Sequence, residues 1–446
     1  MSLTCIPTFI NPSSHRFYTI PYLRFLMDFL LRQAKIIDAS SPFHLQQADI
    51  FIQDGVIRSV ASTLDVECEK IISIHGLIAS PGWLDVFAHF PDPGFEYKES
   101  LQTGANAAAA GGYTDVLLIP NTAPVIHNKS AVEYVVQRGK SLLVNLHPIG
   151  AVTKNAEGKE LAEMYDMHQS GAVAFGDGLC SIQSSGILLK ALQYLKAIDK
   201  VLIQLPDDKS ISATGLMNEG IISTQLGLPG KPSIAEELMI ARDIELAKYT
   251  DSKIHFTGIS TAKSITLIKR AKEEGIKVSC SVTPYHLFFC DEDLKTYDTN
   301  LKLNPSLRTA EDREVLRTAV SEGIIDCISS HHFPHEKDSK IIEFEYAKYG
   351  MIGLETGFAV VRTMLPELPL ENLIALFSNA PRKIFGLPAA SIKENEIACL
   401  SLFTDEKWIV NASAIKSKSM NTPFLGKELK GKPLGIINKH QVFLNE

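Results

Sequence analysis

The stretch ASPGWLDVFAHFPDPG, residues 79–94, decides the fold of this chain. Its apolar part has the length of a short buried strand, and side chains on a strand alternate between its two sides. The pattern therefore predicts that Asp85, Phe87 and His89 share one side of the strand, with the residues between them on the other. Such an ending indicates a strand that presents side chains to a functional site.

Size and composition give no electrostatic reason to bind nucleic acid or an anionic membrane. The sequence has 446 residues, of which 45% are hydrophobic and 21% are charged, and its net charge is −7. This is enough for one barrel-sized core and a small accessory domain, whereas polyanions attract basic proteins. The seven cysteines are odd in number and form no Cys-x-x-Cys pair. We therefore expect a cytoplasmic location and no zinc–thiolate site.

Residues 1–27 differ from the rest and are predicted to be an extension. They lack a basic start followed by an uninterrupted apolar core, and they lack a small-residue cleavage site, so a secretory signal is not expected. Pro7, Pro12 and Pro21 also disfavour a membrane helix. We interpret the segment as a disordered arm or as the product of an upstream start, and we assign it no function.

The two terminal regions, residues 28–80 and 388–446, share one kind of pattern. Both contain short strand-like runs separated by turns, and Asp54-Gly55 is a hairpin signal in the first of them. The simplest arrangement is one composite β domain built from both ends of the chain.

The region between them, residues 81–387, alternates strand-like and helix-like segments. Together with the strand before His89, the count of strands reaches eight, which favours a closed (β/α)8 barrel over an open sheet. No Gly-x-Gly-x-x-Gly follows any strand, so a nucleotide-binding fold is not expected. The other predicted strands are Thr114–Ile119, Leu143–Ile149, Ala172–Phe175, Val201–Leu205, Lys253–Thr257, Val278–Val282 and Ile325–Ser329.

From about residue 28 onward, the chain resembles the dihydroorotases, a family of metal-dependent amidohydrolases. The resemblance implies an α/β fold with a (β/α)8 TIM barrel of the amidohydrolase type and a small composite β-sandwich domain. It also implies a place in pyrimidine biosynthesis and a homodimer. The motifs that carry it are weak singly and specific in this order: PGWLD (81–85), PGFEYKE (93–99), AAGGYTDV (109–116), PNTAP (120–124), GAVAFGD (171–177), GLMNEGIIS (215–223), LGLPG (226–230), VTPYHL (282–287), KLNPSLR (302–308), HHFPH (331–335), GLETG (353–357) and NAPRKIFGL (379–387).

The resemblance implies a binuclear zinc centre, in which the open coordination position holds the water that attacks a cyclic amide. The family's ligands are a His-x-His pair, an acidic residue, two later histidines and an Asp that also serves as the general base. At the His-x-His pair this chain has Phe87 and His89, and Pro91 stands where the family has a substrate-binding Arg. The acidic ligand falls at Asp177. Only His89 and Asp177 therefore remain as candidate ligands, in a degenerate site.

Three further family positions are also changed. Gln204 and Gly258 stand, like Phe87, where metal ligands are expected, and His331 stands at the place of the family's catalytic Asp. Glutamine is a poor zinc ligand and glycine has no side chain. We therefore expect no cofactor, and zinc only if a site survives.

Two asparagines match positions that contact substrate in the family. These are Asn121 and Asn304, and the alternative reading is that each caps a loop. The resemblance thus implies that part of the family's set of substrate-binding residues is present in this chain.

A histidine cluster leaves a second metal arrangement open. His331, His332 and His335 lie close in sequence, and with His89 and Asp177 they could build a different, mononuclear site. His332 and His335 occupy places where the family already has histidines.

Two functional hypotheses follow. In the first, the chain is a dihydroorotase-like pseudoenzyme that acts as a structural or regulatory partner, for example of aspartate transcarbamoylase, a role known for inactive members of the family. In the second, it is an active dihydroorotase or related cyclic amidohydrolase with a remodelled metal site. The first is favoured, because Phe87 and Gly258 cannot supply the ligands that a metal-bound water needs.

Overall fold

The first part of the fold is a set of short strands. The computed structural model describes residues 28–445, so the extension predicted for residues 1–27 lies outside the described residues. The predicted Asp54-Gly55 turn joins the second and third strands as an antiparallel hairpin. The strands are β1 (Phe29–Ile36), β2 (Gln47–Gln53), β3 (Val56–Ala61), β4 (Lys70–Ile72) and β5 (Ile78–Pro81).

The central region forms a sheet of eight parallel strands that curls into a barrel, which confirms the predicted (β/α)8 fold. The first and last of these strands meet where His89 N donates to His332 O at 3.0 Å. A short parallel pair is inserted before the sixth barrel strand. The barrel strands are β6 (Trp83–Ala88), β7 (Tyr113–Leu118), β8 (Asn145–Gly150), β9 (Ala174–Phe175) and β10 (Leu202–Gln204), then, after the inserted β11 (Met217–Asn218) and β12 (Gly230–Lys231), β13 (Ile254–Phe256), β14 (Val278–Val282) and β15 (Cys327–Ile328).

Helices follow the barrel strands and cover the outside of the barrel. Many begin at a polar cap, as where the Ser100 side chain accepts from Thr103 N and so satisfies a free amide of the first turn. Within residues 28–445, no helix has the length and apolar character needed to cross a membrane. The helices are α1 (Leu101–Ala110), α2 (Lys129–Gly139), α3 (Met164–Gln169), α4 (Ser185–Ala197), α5 (Lys209–Ser212), α6 (Ile221–Leu226), α7 (Ile234–Thr250), α8 (Ala262–Glu273), α9 (Pro284–Phe288), α10 (Ala310–Ser321), α11 (Gly357–Met364), α12 (Leu370–Phe377) and α13 (Asn379–Phe385).

The end of the chain returns to the sheet with which it began. Its strands join the N-terminal ones in the order β18-β17-β16-β5-β1-β2-β3, with β4 beside β1, so both ends of the chain build one composite sheet. Trp83 fixes this sheet to the barrel, because Trp83 N donates to Ser401 Oγ at 2.9 Å and its indole lies 5.5 Å from the ring of Phe403, both on β16. These last strands are β16 (Cys399–Ile409), β17 (Glu428–Asn438) and β18 (Gln441–Leu444).

The inside of the barrel is filled by apolar side chains from its strands and the loops beyond them. This filling reaches toward the C-terminal ends of the strands, where active sites of such barrels lie. The members of this interior cluster are Leu84, Val86, Phe87, Leu117, Ile119, Ile149, Ala174, Val201, Ile203, Cys327, Phe333 and Phe385.

Candidate active site

Phe87 fills the barrel interior at the place of the family's first histidine ligand. Because β6 has a register irregularity near its end, Val86 and Phe87 both belong to the interior cluster, and the predicted alternation is wrong at Val86. The Phe87 ring is 1% exposed and lies 4.7 Å from the ring centre of His331 and 6.2 Å from that of Phe333. Packed rings therefore occupy the space at the end of β6.

His331 is held as a buried, neutral group. Its side chain is inaccessible to solvent, and its Nε2 lies 2.8 Å from the Thr257 hydroxyl. The Ser281 hydroxyl donates to Thr257 at 3.0 Å and lies 3.1 Å from His255 Nε2, so a hydrogen-bonded chain of four side chains links the neighbouring strands β13, β14 and β15. Burial holds the pKa of His331 well below its ordinary value. Nε2 of this ring is thus bonded inside the barrel, whereas Nδ1 is buried without a hydrogen-bond partner among the described residues.

Gly258 makes the room that His331 occupies. Its φ is +69°, and a Cβ at this position would lie 2.7 Å from His331 Cε1 and 3.2 Å from Pro305 Cδ. A side chain here would meet both an unfavourable backbone conformation and a buried ring. The glycine at 258 and the histidine at 331 therefore form one packed arrangement.

His89 and Asn121 join neighbouring loops by hydrogen bonds. His89 Nε2 donates to Asn121 O at 2.9 Å, and burial lowers the pKa of His89 to about 4. Asn121 Nδ2 donates to Asp177 O at 3.1 Å, and Asn121 Oδ1 accepts from Leu179 N at 2.9 Å. Both the amide nitrogen and the amide oxygen of the Asn121 side chain thus bond to backbone groups of another loop, as the side chain of a loop cap does.

Asp177 uses both carboxyl oxygens within the protein. Oδ1 accepts from Thr153 N at 2.9 Å and Oδ2 accepts from Thr153 Oγ1 at 2.5 Å, which links the loops after β8 and β9. Burial raises the pKa of Asp177 to about 6. The candidate acidic ligand therefore has the environment of a structural carboxyl.

Gln204, the last residue of β10, bonds to a helix outside the barrel. Its Nε2 donates to Asp243 Oδ2 on α7 at 3.1 Å, whereas the preceding Ile203 belongs to the interior cluster. The amide of Gln204 is thus used in a contact with α7.

Asn304 belongs to a buried ion-pair cluster rather than to a group of free substrate-binding residues. Its Oδ1 accepts from Lys231 Nζ at 2.6 Å, and the same amine pairs with Asp207 Oδ2 at 2.9 Å. Although burial opposes it, the charges of Lys231 and Lys209 lower the pKa of Asp207 to about 2. The sequence analysis missed this cluster; its one signal was the lysine that follows LGLPG.

His332 and His335 both contact the chain that precedes α11. His332 Nδ1 accepts from Gly353 N at 3.3 Å, and its Nε2 lies 3.6 Å from Glu99 Oε2. His335 Nε2 donates to Tyr349 O at 2.9 Å. Both rings therefore bond to the stretch 349–353 that precedes α11.

The donors do not fit a zinc centre. Zinc requires three or four nitrogen, oxygen or sulfur donors converging on one point. Among residues 28–445, no three His, Cys, Asp or Glu side chains are grouped so that they could hold a metal ion. Neither the binuclear centre of the family nor the alternative mononuclear site has its ligand set in this arrangement.

Asp85 joins the first and last strands of the barrel, in keeping with the expectation that it supports its strand or the neighbouring loop. It accepts from Ser330 N at 2.6 Å and from Phe87 N at 3.3 Å, so it ties the end of β6 to the chain after β15. Burial raises its pKa to about 6.

The fold places the chain in a class of proteins that have a (β/α)8 barrel of the amidohydrolase type and a composite β domain. The L-hydantoinase (dihydropyrimidinase) from Arthrobacter aurescens has a similar structure, with a TM-score of 0.80 and 24% identity, covering 94% of this chain and 96% of that one. A D-hydantoinase from Bacillus sp. AR9 has a TM-score of 0.78 at 19% identity, covering 93% and 95%. At such identities the likeness shows the fold alone.

Sequence relatives then narrow the class to a family. Residues 76–264 match the family model described as Dihydro-orotase-like. A dihydroorotase of Citrifermentans bemidjiense is 38% identical over 421 residues, covering 93% of this chain and 99% of the relative. A dihydroorotase of Thermoanaerobacter sp. (strain X514) is 41% identical over 393 residues, covering 86% and 90%. The chain belongs to the dihydroorotase family.

Proposed function

We propose that this chain is a member of the dihydroorotase family, with a place in pyrimidine biosynthesis, that acts as a cytoplasmic structural or regulatory partner and does not hydrolyse dihydroorotate. The observation that carries the proposal is the packing of Phe87 against His331 beside Gly258. Phe87 and Gly258 stand where the resemblance to the family implies metal ligands, and neither side chain can supply one, which supports the proposal.

The second candidate is an active dihydroorotase, or a related cyclic amidohydrolase, with a remodelled site. What favours it is that relatives 38% and 41% identical bear the name dihydroorotase. His89, Asp177, His332 and His335 would have to leave their present hydrogen bonds and converge to supply ligands. We favour the first candidate, because that rearrangement would also have to displace a buried ring.

The two candidate functions predict different rates of dihydroorotate hydrolysis. The chain, purified in buffer containing zinc, is expected to hydrolyse dihydroorotate no faster than buffer does, since residues 28–445 hold no group of side chains that could bind a metal ion to activate water. The dihydroorotase of Citrifermentans bemidjiense, prepared in the same way, is the positive control. Hydrolysis that is removed by a chelator and by His89→Ala would reject the proposal in favour of the second candidate.

The partner role predicts association. We expect a homodimer, since closed two-fold pairing is the commonest assembly of soluble proteins, and docking to the aspartate transcarbamoylase of the same organism. Size-exclusion chromatography with light scattering, on the chain alone and mixed with the transcarbamoylase, measures both. A monomer at micromolar concentration that leaves the transcarbamoylase peak unshifted would contradict the partner role.

A further inference from the structure

A cavity of about 520 Å³ lies between the composite β domain and the barrel, and it shares no residue with the interior cluster. Strands β16 and β17 and the loop between them contribute most of its lining. The other wall comes from Ala110 at the end of α1, from Glu355 in the chain before α11 and from Asn445 after β18. Its volume is that of a small-molecule site.

Glu355 brings a carboxyl oxygen without a partner to this wall. The residue is 3% exposed, and its Oε1 accepts from Lys416 N at 3.2 Å and from Ser417 N at 2.9 Å. Lys416 also lines the cavity, so these bonds hold the carboxyl against its wall. Oε2 is buried and has no hydrogen-bond partner among the described residues. Buried carboxylates are normally paired, so the oxygen favours a cationic partner.

Asn445 is fixed in a similar way. Its Nδ2 donates to Ala110 O at 2.8 Å and to Pro433 O at 3.0 Å, and both partners belong to the lining. Because both partners are acceptors, the amide nitrogen has to face them, and Oδ1 remains as an acceptor. Oδ1 is buried without a hydrogen-bond partner within residues 28–445. Glu355 and Asn445 thus give the cavity two acceptors that a ligand with N–H donors would satisfy.

Donors and positive charges form another part of the lining. The indole N–H of Trp408 is buried and finds no acceptor in the described part of the chain. Lys407 is paired with Glu428 at 2.8 Å. No carboxylate of residues 28–445 lies within 4.0 Å of the ammonium of Lys416 or Lys432. An anionic group would satisfy these donors, as an ammonium would satisfy the acceptors.

We propose that this cavity binds a small zwitterion, such as an amino acid, whose ammonium is received by Glu355 and Asn445 and whose carboxylate is received by Trp408, Lys416 and Lys432. The site does not use the interior cluster, so it stands whether or not the barrel hydrolyses dihydroorotate. Because its walls come from the barrel and from the composite β domain, the bound ligand would stabilise the contact between them.

Ligand-observed NMR titration of the full chain with glycine, 4-aminobutyrate and 6-aminohexanoate tests the proposal. The three probes place the same two charged groups at increasing separations, and at least one is expected to bind saturably. The tightest probe is then compared with the carboxylate and with the amine of the same chain length. Each of these lacks one charged contact and is expected to bind about tenfold more weakly or worse.

Two variants and a matched control locate the binding. Glu355→Gln keeps an acceptor for the two backbone amides and loses the charge, so it is expected to weaken zwitterion binding about tenfold or more and to leave binding of the matched carboxylate unchanged. Lys432→Gln is expected to weaken both. Lys430→Gln is the control, because Lys430 lies on the same strand but pairs with Asp405 at 3.3 Å and does not line the cavity.

If Glu355→Gln does not fold, Lys432→Gln and the comparison of the charged groups still decide, because Lys432 is only partly buried. Three results would each overturn the proposal. They are no saturable binding of any of the three zwitterions, equal binding by the wild type and Lys432→Gln, and a matched carboxylate or amine that binds as tightly as the zwitterion.

Discussion

Gly258→Ala is expected to lower the free energy of unfolding by about 2–5 kcal/mol. Part of this loss, about 1–2 kcal/mol, comes from placing a Cβ on a left-handed backbone, here with φ +69°. The rest, about 1–3 kcal/mol, comes from overpacking, because the new atom would lie 2.7 Å from the buried His331 ring. Urea denaturation of the wild type and the variant measures the difference.

Gly386→Ala is the matched control for this prediction. Its φ of +66° imposes nearly the same backbone cost, but no atom lies within 4 Å of the added Cβ. The excess loss in Gly258→Ala therefore reports the contact with His331 alone. Equal losses in the two variants would mean that His331 does not occupy the space beside Gly258.

The stability of the fold is expected to fall steeply as the pH drops below 6.5. Burial lowers the pKa of His89 and His335 to about 4 and of His255 and His286 to about 3, and it holds that of His331 well below the ordinary value. An unfolded chain takes up these protons near pH 6.5, whereas the folded one does not, so acid favours unfolding.

Buried carboxyls oppose this effect in part. Burial raises the pKa of Asp85, Asp177 and Asp243 to about 6 and also raises that of Glu355, so the folded protein gains these protons at a higher pH than the unfolded chain does. If each group counts as one proton, the five histidines of the unfolded chain take up one proton more than the four carboxyls of the folded protein. The expected slope is therefore at least about 1.4 kcal/mol per pH unit between pH 6 and pH 5.

Urea denaturation at pH 7, 6 and 5 measures this slope. His255→Asn should reduce it, whereas His75→Gln should leave it unchanged, because the His75 side chain is 98% exposed. A free energy of unfolding that stays level or rises from pH 7 to pH 5 would show that the histidines are not held neutral inside the fold.

Much of the fold could be predicted from periodicity. The strand predicted at Val278–Val282 is β14 without change, and the strand predicted at Thr114–Ile119 differs from β7 by one residue at each end. The short elements α5, α6, β11 and β12, between β10 and α7, were not predicted, since two to six residues are too few to carry a periodic pattern.

The site could be predicted as a list of positions but not as an arrangement. The residue types at positions 87 and 258 show that Phe87 and Gly258 cannot be metal ligands. The sequence does not show that the ring of His331 occupies the space beside Gly258. The sequence also does not fix which face of β10 carries the Gln204 side chain. A difference of one residue along a strand moves a side chain to the opposite face. The loss of metal binding itself stays a prediction.

The central claim is that this member of the dihydroorotase family does not assemble the family's metal centre, and zinc stoichiometry tests it most directly. The chain would be purified without chelator, dialysed against buffer with a small excess of zinc and then against buffer alone, and its zinc content measured by elemental analysis. The packing of Phe87, Gly258 and His331 predicts less than one zinc ion per chain. Two zinc ions bound to each chain would contradict it.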